Sequence, residues 1–194
     1  MISKALHFIS DFLNKEIKLN FGIEQNNVMA SSLINPDGSV TANIENKIII
    51  SVINLEHETA IQSRIQHQKG PNGVGLVNPA IHLNLYLLVS ANYDSGNYLE
   101  ALKMLSAVIG VFQANTLFTR ENFPAMEPPL ERLTFEIFNL PINELSHIWS
   151  GIGAKYVPSI VYKVRMISIS EGQINKEVTE ISGLNPSSNP NKTP

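Results

Sequence analysis

Between Tyr98 and Ala114 the sequence YLEALKMLSAVIGVFQA places apolar side chains around most of a helical wheel. Leu99, Leu102, Leu105, Ile109 and Phe112 recur at three- and four-residue intervals, and Met104, Val108 and Val111 broaden the stripe. A helix of this kind has to bury more than one face. One side is expected against a sheet, the other against a second helix or a neighbouring subunit. The chain therefore needs a layered fold with strands to pack against.

Those strands are legible on both sides of the helix. Lys47–Leu55, KIIISVINL, is rich in β-branched residues, and Ile81–Val89, IHLNLYLLV, alternates apolar and mixed positions, so both read as strands, the second central. Leu133–Phe138, LTFEIF, and Ser159–Ile169 alternate in the same way. In the last of these Ile160, Tyr162, Val164 and Met166 share one face, and Val161, Lys163, Arg165 and Ile167 the other. Ile2, Leu6, Ile9, Leu13 and Ile17 predict an amphipathic helix at the start. Pro141 opens a short helix packed through Trp149, with Gly151 as its expected end. NPDGSV, residues 35–40, has the chemistry of a hairpin-like turn. The prolines of FPAMEPPL, at 124, 128 and 129, predict a stiff extended connector.

Two stretches lack a pattern. Residues 56–78 are polar and then punctuated by GPNGVG, which predicts a long loop that orders on assembly. From Glu171 onward Asn, Ser and Pro dominate, which predicts a flexible tail. The expectation is an α/β (α+β) fold: one domain over residues 1–170 with a mixed sheet flanked by helices, and a tail over 171–194.

Composition narrows the function classes. Only 16% of residues are charged, against roughly 25% in ordinary soluble domains, so part of the surface is expected to be covered by partners. Fourteen basic and seventeen acidic residues give a formal charge of −3 without a basic run, which argues against nucleic acid. There are no cysteines, so disulfides, thiolate metal sites and cysteine nucleophiles are excluded. Asp11, Lys15, Glu16 and Lys18 interrupt the apolar N-terminal pattern, so the start does not read as a signal peptide, and no run spans a membrane. Cytoplasmic synthesis and assembly is the default.

No chemistry emerges from the motifs. The histidines at 7, 57, 67, 82 and 147 have no metal-ligand spacing, and His57 between Glu56 and Glu58 reads as a solvated position. GPNGVG precedes a strand instead of opening a helix, so it is not a phosphate loop. No GxSxG elbow presents a serine. Glu131 and Glu136 read as surface carboxylates, with Glu136 expected to pair with Arg165 or Lys163 across strands. The aromatic residues sit in apolar patterns and read as core or interface anchors. The expectation is no catalytic residue, no metal, no cofactor, and no enzyme.

Several segments together carry a resemblance: NKIIISVINLEHE, HLNLYLLVSANY, the LSAVIGVFQ helix leading to LFT, and LTFEIFNLPINELSHIWSGIGAKYVPSIVYKVRMI. Over residues 1–170 the chain resembles the N-terminal domain of the tube cap, or tail terminator, proteins of phage-tail-like extracellular contractile injection systems. The most specific part is Asn139–Ile167. The resemblance implies a structural protein that forms a sixfold ring on the last tube layer, stops tube growth and engages the sheath end. Its partners would then be further copies of itself, the inner tube protein and the sheath protein, within a particle released from the cell or anchored to it. An adaptor or baseplate-associated module of the same type of particle is the alternative. For tube or sheath contact the residues singled out are Glu56, Glu58, Arg64 and Lys69 of the 56–78 segment, with Lys163 and Arg165 at a ring surface. For contact between subunits they are Tyr98, Leu102, Leu105 and Phe112.

Overall fold

A computed structural model describes residues 1–22, 26–59, 66–70, 73–77, 80–128, 130–169 and 174–178. In chain order its elements are α1 (Ile2–Phe21), β1 (Val28–Ala30), β2 (Lys47–His57), β3 (Gln66–Gly70), β4 (Gly73–Val77), β5 (Ile81–Asn92), α2 (Tyr98–Ala114), β6 (Leu117–Thr119), β7 (Arg132–Ile137), α3 (Ile142–Ile152), β8 (Ser159–Ile169) and β9 (Ile174–Val178). They divide into a larger unit, Met1–Ile61 with His82–Ile169, and a smaller one, Gln62–Ile81 with Ser170–Pro194.

The larger unit is a six-stranded mixed sheet in the order β1-β2-β5-β8-β7-β6. β1 runs parallel to β2, whereas β2–β5, β6–β7 and β7–β8 are antiparallel. The interior place of β5 follows from its burial on both faces, since Asn84 to Ala91 are all buried. Edge strand β1 is held from the side by a helix residue. Asn14 Nδ2 donates to the Val28 carbonyl at 2.8 Å, and the Val28 N–H donates to Asn14 Oδ1 at 2.9 Å.

α1 and α2 cover one face. Phe8, Ile9, Phe12, Leu13 and Ile17 of α1 pack with Met104, Val108 and Phe112 of α2 over Ile48, Ile50, Leu85, Leu87, Val89, Phe135 and Val164. Aromatic rings fill one end of this layer: Phe12 meets Phe118 edge-on at 4.9 Å, and Phe112 stacks on Phe135 at 4.4 Å. α2 spans the predicted residues but is rotated from the predicted stripe. Its buried side is Ala101, Met104, Leu105, Ala107, Val108, Val111 and Phe112, while Leu99 is 80% exposed. The buried side includes two alanines, Ala101 and Ala107, while Leu99 of the first turn faces outward.

The other face is covered only in part. α3 lays Trp149 against Ile49, Leu88 and Val161, with Leu33 and Ile44 from the connection after β1. The helix runs through Gly151 and ends at Gly153, which takes a left-handed φ of 75° and donates to the Trp149 carbonyl at 3.1 Å. The predicted turn at 35–40 is present. Gly38 has φ 83°, and Asp37 Oδ1 accepts from the Ser39 N–H and hydroxyl at 2.9 and 2.6 Å, which holds the Asp37 carboxyl below its ordinary pKa.

Four further expectations need correction. FPAMEPPL is no extended connector: Phe123, Met126 and Leu130 accept or donate in successive turns and pack on the α1 layer, burying Met126 and Leu130. Lys4 fastens this segment through Glu127 at 3.0 Å and the Pro128 carbonyl at 3.0 Å. The 56–78 segment is no continuous loop either. β2 extends through His57, and β3 and β4 form an antiparallel hairpin. Within the expected tail, β9 pairs with β4, giving a second sheet in the order β3-β4-β9. QHQKG and INKEV have no apolar alternation to announce them. In β8, Ile167 joins the same cluster as Val164, so the predicted alternation fails at that end.

Candidate functional site

The α3 side of the sheet carries a row of polar side chains across four adjacent strands. A bulge in β2 sets it up. Before the bulge, Ile48 and Ile50 point into the α1/α2 core; the register shifts between Val52 and Asn54, so Asn54 lies opposite Tyr86 and Glu56 opposite Asn84. Strict alternation would have put Glu56 on the same side as Ile50. The bulge delivers it to the opposite face.

There Glu56 Oε2 accepts from the Tyr86 hydroxyl at 2.6 Å and from Lys163 Nζ at 2.9 Å. Lys163 also lies 5.2 Å from the Tyr86 ring centroid, and its side chain is only 17% exposed. The Tyr86 hydrogen bond, then Lys163, lower the Glu56 pKa; the Tyr86 and Glu56 contacts raise that of Lys163. Beside them Asn84 Nδ2 donates to Glu58 Oε2 at 3.0 Å, and Arg165 Nε approaches Glu136 Oε2 at 3.5 Å. Glu136 is the register partner of Lys163, and Arg165, two residues further along β8, is opposite Thr134. Within the row Lys163 is matched by Glu56 and Arg165 by Glu136, with Glu58 beside them.

An apolar groove of about 780 Å³ adjoins the row, walled by Val52, Ile53, Phe138, Leu140, Ile148 and Ile152. Phe138 sets its ring edge against Tyr86 at 4.8 Å and joins the groove to the polar row. No charged side chain among the described residues lines it. A surface of paired charges next to an uncharged groove is suited to protein contact. Among the described residues no three His, Cys, Asp or Glu side chains are grouped to hold a metal. Among them, too, no helix is long and apolar enough to cross a membrane.

The residues singled out from sequence separate into three groups. Glu56, Glu58, Lys163 and Arg165 come together on this face, and Lys163 and Arg165 are already neutralised by Glu56 and Glu136, not left as free cations. Lys69 lies on β3 of the smaller unit, and Arg64 lies outside the described residues. On α2, Tyr98 is exposed and Leu102 half-buried, whereas Leu105 and Phe112 are 8% and 2% exposed and belong to the subunit's own core. Phe112 packs against Phe135 and Tyr162, and neither residue presents a surface. Tyr86 and the groove were missed by sequence reasoning, and Phe138 was read only as one of the aromatic core or interface anchors. Tyr86 and Phe138 sit in strand-like apolar runs, and only the bulge and the crossing of residues 138–140 bring them to one place.

Residues 5–182 match the family model described as the Pvc16 N-terminal domain. The chain belongs to that family. The match takes in β9, beyond the boundary at 170 expected from sequence. Two solved structures share the fold. One is the sheath/tube terminator, in the extended state, of the extracellular contractile injection system PVC, with a TM-score of 0.62 and 15% identity over 100% of this chain. The other is the tube-terminating cap of the anti-feeding prophage, with a TM-score of 0.60 and 13% identity over 94% of this chain. The chain spans 64% and 61% of the length of these two relatives. No curated protein sequence matches it.

Proposed function

We propose that this chain is the tube-facing domain of a structural terminator: it sits as a sixfold ring on the distal end of the inner tube of a contractile injection system, stops tube growth and engages the sheath end. The observation that carries this is the family match over residues 5–182, joined to a fold shared along the whole chain with a sheath/tube terminator.

In this reading Glu56, Glu58, Lys163 and Arg165 face the tube or sheath. Because the charges are matched within the subunit, they contribute register and specificity more than net attraction. The adjoining groove takes up apolar side chains of the partner. Ring contacts involve the outward first turn of α2, Tyr98 and Leu99, with Leu102 at its margin. Assembly takes place in the bacterial cytoplasm, before the particle is released or anchored.

The test is cryo-microscopy of particles made with and without the protein, viewed at the tip away from the baseplate. Loss of the protein should give tubes of irregular length with an altered tip. Tubes of unchanged length with an unchanged tip would overturn the proposal.

A further inference from the structure

The smaller sheet has two free edges that differ from one another. β3 and β9 each pair with β4, and among the described residues neither pairs with another strand on its outer side. Each strand is five residues long. A sheet this small is marginal unless something extends or covers it, and none of the three strands contains a proline that would remove a donor from an edge.

We propose that β9 of one copy pairs with β3 of the next, so that the sheets of successive copies join edge to edge into a closed band. The inference rests on the ring reading above and specifies how the ring closes. The joint uses two different edges, and a head-to-tail contact of that kind generates a ring when its rotation closes. Closure also removes every open edge, the one complete remedy for exposed strand ends. Strand direction fixes the geometry of the joint. β3 and β9 are both antiparallel to β4, so they run the same way. Rotation about an axis running along the strands therefore brings β9 against the neighbouring β3 in parallel. A two-fold axis would instead pair like edges, β3 with β3 or β9 with β9, in antiparallel fashion.

Two features favour the bend such a band requires. Gly70 lies opposite Gly73, and Gln68 opposite Gly75, so three glycines share one face of the β3–β4 ribbon. A face with so few side chains can form the inside of a curve. The register also shifts between Leu76 and Val77 where β4 meets β9, a local irregularity that bends and twists a strand.

The absence of cysteine makes this directly testable. Gln68 and Glu177 are both register partners of Gly75, so they occupy one row and one face of the sheet. Under mild oxidation the double variant Gln68→Cys/Glu177→Cys should give a ladder of disulfide-linked multimers ending in the closed ring, and either single variant should give no dimer. Reduced samples of the double variant should still show rings by microscopy. Dimers from a single variant would establish a two-fold joint and overturn the inference. Rings without a ladder would also overturn it while leaving the ring reading intact; neither ring nor ladder on tube ends would sink both.

Discussion

The two faces of the six-stranded sheet are built to different standards. The α1/α2 side is closed by two long helices and a cluster of Phe8, Phe12, Phe118 and Phe123 rings, with hardly a polar atom among them. The α3 side has a six-residue buried cluster around Trp149, and beyond it an open row of paired charges and an apolar groove. The difference gives most of the apolar packing to one face and leaves the other as the one proposed for contact. A sheet has to bury an apolar face against another layer to fold, and here α1 and α2 supply most of that cover.

That comparison can be broken most forcefully at Phe118. Phe118→Ala removes a fully buried ring that touches Phe8, Phe12, Phe123 and Phe135. It should cost about 3–5 kcal/mol in urea unfolding followed by circular dichroism. Trp149→Ala on the opposite face should cost about 3 kcal/mol, at the low end of the range for such truncations. Its indole N–H is buried with no hydrogen-bond partner among the described residues, so truncation also removes a desolvated donor. Equal or reversed losses at the two positions would contradict the division of labour between the faces.

The smallest effect is expected in the polar row, where pH reads the contacts without disturbing the core. The lowered pKa of Glu56 means that its contribution is present above the ordinary carboxylate pKa and is lost as pH falls through the lowered value. The raised pKa of Lys163 means that its contribution is complete below the ordinary lysine pKa and is lost as pH rises through the raised value. Stability from this pair therefore spans the neutral range and declines at both ends. Glu56→Gln should flatten the acid limb of a melting-temperature profile, and Lys163→Met the alkaline limb. Identical profiles for wild type and both variants would show that the row does not hold the strands together.

How much of this was legible beforehand depends on the kind of signal. α1, α2, β5, β7 and β8 were visible because each buries a face, and burial writes a period of 3.6 or 2 into the sequence. β3 and β9 were invisible because QHQKG and INKEV carry no such period. The expected pairing of Glu136 with Arg165 follows from neighbouring strands of known facing. The pairing of Lys163 with Glu56 does not, since it needs a bulge and an intervening strand, β5, that contributes Tyr86.

The sequence by itself determined the helices, the main strands, the lack of disulfide or thiolate chemistry and the family resemblance, all of which depend on local pattern or on the order of segments. Only the tertiary structure decided which side of α2 is buried, that Leu105 and Phe112 are core residues, and that Glu56, Tyr86 and Lys163 meet. The physical reason is common to all three. Rotation of a helix, the phase of a strand beyond a bulge and the contact of residues 107 positions apart are settled by packing against partners distant in the chain. No local period encodes them.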